Sequence, residues 1–367
     1  MWLYSAKLLK KLNMKKLIYF LNFLTLSVFA QQWQPLDNGL DGTVRALLPD
    51  TTHGHLIIGG DFARIHGNIH KSLAAWNGTR IDSIGTFSCM PTFSLGAMSS
   101  AQYSGYVFAS DCNHIYMRYN SVWLPLDSNF SGTPLCFVKH DSTLYIGGGF
   151  NYVNDTYGGS LAYLRAGHFR NISLPYANSM VNDIAFLHDT MYVLMSYPDS
   201  IGKPIPKVLQ RNCSCQGWVD ITPYLAYGVS WAGSLETYKG ALYLAGKFST
   251  QSGSIGDAII CYDGTWHDVS GGITQSGTYG QVYTLYTYGN LLFVGGFFQY
   301  AGGVPASNIA TWNGSYWCGF NGVLNDAVRS VAGMNDSLYI GGQFTSIDGI
   351  QTNYIARYQT LISNLCH

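Results

Sequence analysis

Apolar and polar positions fall into one phrase that returns along the whole chain. It reads Leu56-Ile-Ile-Gly-Gly-Asp-Phe62, Leu144-Tyr-Ile-Gly-Gly-Gly-Phe150 and Leu242-Tyr-Leu-Ala-Gly-Lys-Phe248, then Leu292-Phe-Val-Gly-Gly-Phe-Phe298 and Leu338-Tyr-Ile-Gly-Gly-Gln-Phe344. The Phe-to-Phe steps are 88, 98, 50 and 46 residues. The first two are double steps, and Tyr106-Val-Phe-Ala-Ser110 and Met191-Tyr-Val-Leu-Met-Ser196 fill them as degenerate copies. A period of about 48 residues, holding several short strands per copy, predicts an all-β, seven-bladed β-propeller with four antiparallel strands per blade.

The copy from Ala232 to Val269 shows the expected strands. They are Ala232–Tyr238 (a), Ala241–Phe248 (b), Ala258–Tyr262 (c) and Trp266–Val269 (d), with Lys239-Gly240 and Asp263-Gly264 as tight turns. Asn77-Gly78 and Asn313-Gly314 repeat that turn chemistry, because two-residue hairpins need positive φ at both central positions. Aromatics recur on strand d at Trp123, Phe169, Trp218, Trp266 and Trp317. The seventh copy offers Val328–Met334, Ser337–Phe344 and Tyr354–Tyr358 but no strand d, whereas Trp33-Gln-Pro-Leu36 at the other end has the look of one. The N-terminal segment is therefore expected to join the last blade, close the ring and remove an open sheet edge.

The Gly-Gly pair ending strand b, an aromatic on strand c and Trp on strand d resemble Kelch repeats. The chain is still more similar to the Gly-Gly-X-Phe repeat proteins exported by Bacteroidota, whose blades carry an Asn-Ile-Ala-X-Trp-Asn-Gly-X-X-Trp phrase, met here at Asn308–Trp317. That resemblance spans essentially all of residues 31–367 and implies a propeller. It implies no single function, since such folds host binding, scaffolding and enzymatic sites alike.

Composition narrows the class. Aromatics reach 15% and charged residues only 11%, with 42 Gly and a single Glu, Glu236, so neither helical surfaces nor disorder is expected. Residues 1–30 read as a secretory signal: Lys15 and Lys16 precede the apolar Leu17–Phe29, and Val28-Phe-Ala30 forms a cleavage site, with translation alternatively starting at Met14. The apolar run is too short for a comfortable membrane span. Losing five lysines with this segment leaves 15 basic against 20 acidic residues, a net charge of −5. That balance argues against a nucleic-acid partner. A monomer, secreted or held at the cell surface or in the periplasm, is expected.

Candidate chemistry is sparse. His53 and His55 fall in an a–b turn and His66 and His70 in a b–c loop, a strand length apart, so no metal site is expected. Glycoside cleavage usually needs two carboxylates at a set separation, and only Glu236 and Asp183 could line a channel, each more simply paired with a polar neighbour. No phosphate loop or catalytic elbow is present, and no cofactor or catalytic residue is assigned. An exported chain permits disulfides, with Cys89–Cys112 and Cys318–Cys366 as candidates.

The b–c loops 63–72, 151–159, 249–257, 299–307 and 345–353 are long and share a rim, where recognition residues tend to sit. Arg45 and Arg329 follow the first apolar residue of strand a in blades that become neighbours. They are candidates to grip an acidic ligand, with Tyr152 and Tyr300 as stacking surfaces; pairing with Asp41 and Asp326 is the more ordinary expectation. Two readings stand: a non-catalytic module or scaffold recognising a glycan, peptide or protein at this rim, and an exported carbohydrate-active enzyme with its site at the channel mouth. Intact-mass analysis of the exported protein is expected to show Gln31 as first residue; retention of Met1 or Met14 would overturn the signal assignment.

Overall fold

The computed structural model describes residues 33–69, 72–86, 95–98, 106–110, 114–119, 121–126, 130–212, 217–225, 231–249, 257–276, 278–359 and 366. Those residues form strands, turns and loops, without a helix. Seven four-stranded antiparallel sheets share one order, a-b-c-d. The first is Val44–Asp50, His55–Gly60, Ser72–Trp76 and Ile81–Thr86, and the second Leu95–Met98, Tyr106–Ser110, Ile115–Tyr119 and Val122–Pro125. The third is Thr133–His140, Thr143–Gly149, Leu161–Arg165 and His168–Asn171, and the fourth Met180–Leu187, Thr190–Pro198, Pro204–Asn212 and Val219–Asp220. The fifth is Trp231–Tyr238, Ala241–Lys247, Ile259–Tyr262 and Trp266–Asp268, and the sixth Gln281–Tyr288, Leu291–Phe297, Ile309–Trp312 and Trp317–Gly319. The seventh takes Val328–Met334, Ser337–Gly342 and Ile355–Gln359, and its outer place is held by Trp33–Pro35, with Trp33 opposite Tyr358 and Pro35 opposite Ala356.

Each strand a lies against strand a of the next sheet, and Val328–Met334 lies against Val44–Asp50. The Gly-Gly pair makes this approach possible. A Cβ on Gly341 would stand 2.3 Å from Cγ1 of Val44 in the first sheet, and one on Gly342 would stand 2.1 Å from the Ala327 carbonyl oxygen. Gly295 meets Val328 and Gly147 meets Val181 in the same way. A side chain at the first glycine would force neighbouring sheets apart, and one at the second would push strand b off the start of strand a in its own sheet. The phenylalanine closing the phrase is buried in all five full copies, as Phe62, Phe150, Phe248, Phe298 and Phe344.

The outer rim is bolted differently. The indole N–H of Trp33 donates to the Asn321 carbonyl of the sixth sheet at 2.9 Å, and that of Trp317 to Val269 of the fifth at 2.9 Å. Trp266 donates to Ile221 at 2.6 Å, Trp218 to Ser173 at 2.8 Å and Trp123 to Ile84 at 2.8 Å. Each tryptophan thus reaches one sheet back along the chain and satisfies a polar N–H while its rings stay packed. Phe169 occupies the equivalent place in the third sheet with no donor to offer.

Strand c starts one residue later than the apolar pattern suggests. Ala258 and Tyr354 precede it with φ of 62° and 73°. Both are held there by paired backbone bonds: their N–H groups donate to Phe248 and Phe344, and their carbonyls accept from Gly246 and Gly342. A left-handed residue cannot continue a pleated strand.

Trp33 is buried, tilted against Tyr358 with ring centroids 4.9 Å apart, and bonded to the sixth sheet. Trp33→Ala is expected to lose about 3–5 kcal/mol of unfolding free energy, and deletion of residues 31–37 at least as much. Chemical denaturation measures both; a truncated protein as stable as the parent would show that the seventh sheet does not depend on this strand.

Candidate functional site on the first-strand bulges

Six of the seven a–b pairs carry a β-bulge at one level, between Val44 and Ala46, Pro134 and Cys136, Val181 and Asp183, Ala232 and Ser234, Val282 and Thr284, and Val328 and Ser330. A bulge leaves its extra residue out of the ladder and re-aims its side chain. The extra residues are Arg45, Leu135, Asn182, Gly233, Tyr283 and Arg329. Opposite this level, at the end of strand b, stands the variable residue of the Gly-Gly-X-Phe phrase: Asp61, Gly149, Lys247, Phe297 and Gln343.

Four consecutive sheets, the fifth to the seventh and then the first, build one continuous row from these positions. Gly233 leaves room for the Trp231 indole, which lies where a Cβ would be. That indole stacks on the Tyr283 ring at 5.2 Å with planes 9° apart. Tyr283 carries the Arg329 guanidinium 3.7 Å from its centroid, a cation–π contact. Arg329 also donates through Nε and Nη2 to the Gln343 side-chain oxygen at 3.0 and 2.8 Å. Burial pulls this guanidinium below its ordinary pKa, and the neighbouring Arg45 pulls it the same way. Arg45 donates from Nε to Asp61 at 2.6 Å. Tyr283 is further fixed by a 2.9 Å bond from its hydroxyl to Gln281.

The two arginines therefore share a neighbourhood, but their partners differ from those expected. Asp41 accepts from the Ala63 and Arg64 N–H groups of the b–c loop, and Asp326 from that of its neighbour Ala327, so each is engaged by backbone. Asp61 and Gln343 take the arginines because they stand beside the bulge on the adjoining strand. Among the described contacts neither Tyr152 nor Tyr300 touches Arg45 or Arg329. Tyr152 packs edge-on against Tyr157, 5.4 Å away, across a two-stranded loop hairpin, and Tyr300 pairs with Pro305 in another. The rings beside the arginines are Tyr283, which carries Arg329, and Trp231, which stacks on Tyr283. Aligning each strand a on the glycine pair it faces, rather than reading each copy separately, brings Tyr283 and Gly233 into the column of Arg45 and Arg329.

Cys318 and Cys366 are disulfide-bonded, with Cα atoms 5.6 Å apart. Cys89 and Cys112 lie outside the described residues. His53 bonds Asp50 through Nδ1 at 2.8 Å, His66 bonds Asp37 through Nε2 at 2.5 Å, and His55 opens a strand; His70 lies outside the described residues. Among the described residues no three metal-ligating side chains converge.

The two inner carboxyls are tied to backbone. Asp183 accepts from the N–H groups of Ile184 and Leu235, both at 2.8 Å, so it joins the fourth sheet to the fifth. Ser234 and Ser330 serve the same purpose, accepting from Leu285 at 3.3 Å and Leu47 at 3.0 Å. Burial pushes Asp183 up to about 6. Burial, and secondarily the charge of Asp183, pushes Glu236 up to about 7, against its backbone bond from Thr237 at 2.9 Å.

No family model matches the chain, and no curated protein matches it. Among solved structures it is similar to the extracellular domain of BT4673 from B. thetaiotaomicron, described as a hybrid two component system, at a TM-score of 0.60 and 12% identity. That match covers 89% of this chain and 39% of the other. A second structure of that domain gives 0.59 and 12%, covering 90% and 40%. The Saccharomyces cerevisiae protein Sqt1 gives 0.52 and 12%, covering 89% of both chains. The chain thus spans about two fifths of the BT4673 structures. At this identity the likeness shows an all-β fold held in common.

Glu236 keeps its proton in the fold to about pH 7 but ionises near 4.5 in the unfolded chain. The folded state then binds more protons between those values, and this contribution to stability falls as pH rises. Glu236→Gln mimics the protonated form. Its stability relative to the parent should be near zero at pH 4.5 and positive by roughly 1–3 kcal/mol at pH 8, read by urea denaturation at both values. An equal difference at the two pH values would show that Glu236 ionises normally.

Proposed function

We propose that this protein is an exported, non-catalytic binding module built as a seven-bladed β-propeller, and that it grips an acidic ligand at the bulge level of its first strands. The observation carrying this reading is Arg329, a half-buried guanidinium held by an aromatic ring and a neutral amide with a second arginine beside it. A cation so placed is poorly solvated and lacks a counter-charge at contact distance, and an anionic ligand supplies one. The propeller reading is supported by the order in which the a strands touch, from Val44–Asp50 round to Val328–Met334 and back. Kelch-like ancestry, signal cleavage after Ala30 and a mature domain of residues 31–367 belong to the same proposal. Location outside the cytoplasm is supported by the extracellular setting of the BT4673 domain. Glu236 and Asp183 favour no enzymatic reading, because each is spent on backbone donors.

Arg45→Ala combined with Arg329→Ala is expected to reduce binding of acidic ligands by about a hundredfold, with melting within a few degrees of the parent. Calorimetric titration against acidic polysaccharides and peptides, with a reducing-end assay alongside, makes the test. Full binding in the double variant, or release of reducing ends that the variant abolishes, would overturn the proposal.

A further inference from the structure

Among the described residues extruded at the bulges or standing opposite them on strand b, the charged and aromatic side chains come from one run of sheets. The fifth, sixth, seventh and first sheets contribute Lys247, Trp231, Tyr283, Phe297, Arg329, Gln343, and the Arg45–Asp61 pair. The third and fourth contribute Leu135, Gly149, Asn182 and Ser196, none of them charged. Lys247 stands opposite Trp231 in the strand register and has no hydrogen-bonded or ionic partner among the described residues. Two cations without carboxylate partners, Lys247 and Arg329, therefore flank the Trp231–Tyr283 stack. Nη1 of Arg329 likewise has no protein acceptor among the described residues, since only Nε and Nη2 are engaged by Gln343.

Next to this row lies a depression of about 520 Å³ that shares Phe297 with it. Phe320 forms part of its wall, and Gln275, Gln299, Asn321 and Asn325 line it with amides, of which Asn325 is engaged by Thr345 and Ser346 and the Gln299 oxygen by Ser276. The side-chain oxygen of Gln275 is buried there with no partner among the described residues. Amides that both donate and accept match sugar hydroxyls, and an indole face matches the apolar C–H face of a sugar ring. An acidic peptide would also be gripped by the arginines; what favours a sugar is the indole face set beside amide groups, and titration with poly-glutamate separates the two.

We propose that the ligand is an acidic glycan chain lying across these four sheets, with its anionic groups on Arg329 and Lys247, a sugar ring against Trp231, and neighbouring hydroxyls directed to the amide-lined depression. This rests on the binding reading above and adds the ligand class, the direction of the chain and the residues Lys247 and Trp231. The guanidinium fork accepts a carboxylate or a sulfate equally well, so both chemistries are tested.

The full exported protein is titrated with oligogalacturonate, sulfated dextran oligosaccharide, unmodified dextran of the same length and poly-glutamate. Binding is read by calorimetry and by tryptophan fluorescence. The expected result is binding of at least one acidic glycan, weakened by salt, with no binding of neutral dextran and at least tenfold weaker binding of poly-glutamate. Lys247→Ala and Arg329→Gln should each weaken the glycan about tenfold, and Trp231→Ala should weaken it and remove the fluorescence change. Arg329→Lys, which keeps the charge without the fork, should fall between parent and Arg329→Gln, and thermal melts confirm that each variant folds. Equal binding of dextran, equal binding of poly-glutamate, or glycan binding indifferent to Lys247 and Trp231 would overturn the inference. If no acidic glycan binds but another acidic ligand is lost in the Arg45→Ala, Arg329→Ala protein, this inference fails while the binding reading stands. Should that double variant lose nothing, both fail.

Discussion

The closeness of adjacent first strands is the constraint from which the rest follows. A Val side chain from one sheet occupies the volume that a Cβ would need on the first glycine of the sheet before it, and on the second glycine that volume is taken by a carbonyl at the start of strand a in the same sheet. Backbones brought that near leave no room for a regular ladder along the full length of strand a. One residue is extruded at the same level in six sheets. The extruded positions are thus a by-product of packing, repeated whether or not a given sheet uses them. Asn182 ties its sheet to the next by donating to the Ala232 carbonyl, whereas Arg45, Tyr283 and Arg329 build the side-chain row described above.

Neighbouring sheets are joined a second time at their fourth strands, where buried tryptophans such as Trp33 and Trp317 pack. The indole N–H bonds work there. They give five of the fourth strands a directional tie to the neighbouring sheet in addition to apolar packing, and a net gain of about 1 kcal/mol per bond is the usual scale. Inner contact and outer ties together hold the bulge row rigid. A stack such as Trp231–Tyr283–Arg329, drawn from three different sheets, needs its members held to within fractions of an ångström, and only neighbours fixed at both radii provide that.

Strand assignment was legible in the sequence wherever turn chemistry and the Gly-Gly phrase coincide, and Val328–Met334 falls where the repeat places it. The pairing of Trp33 with the last strand c was legible because Trp33 and Trp317 sit in similar phrases. The arginines were visible as charges beside an apolar anchor, but their partners were not. Whether Arg45 meets Asp41 or Asp61 depends on the extra residue of the bulge, and no local pattern marks one. Trp231 was hidden for a related reason: its ring fills the place left by Gly233, two residues on, so its role is visible only through the space a glycine leaves. Asp183 could be placed on an inner strand from its copy alone, yet its tie to Leu235 crosses between copies. Within-repeat geometry is periodic and therefore readable; between-repeat geometry is set by packing.

The Cys318–Cys366 bond has a mechanical consequence. Strand c of the seventh sheet, Ile355–Gln359, is paired on one side with only the three residues Trp33–Pro35. A pull entering from the C-terminal side and directed away from the neighbouring strand would peel those pairs one after another, the weakest geometry in which a sheet can be loaded. The disulfide intercepts that load and delivers it to Trp317–Gly319 in the sixth sheet, a strand paired with Ile309–Trp312 and carrying the indole tie to Val269. Tension is thereby shared between two sheets, and the short closing strand is spared the force that would unzip it.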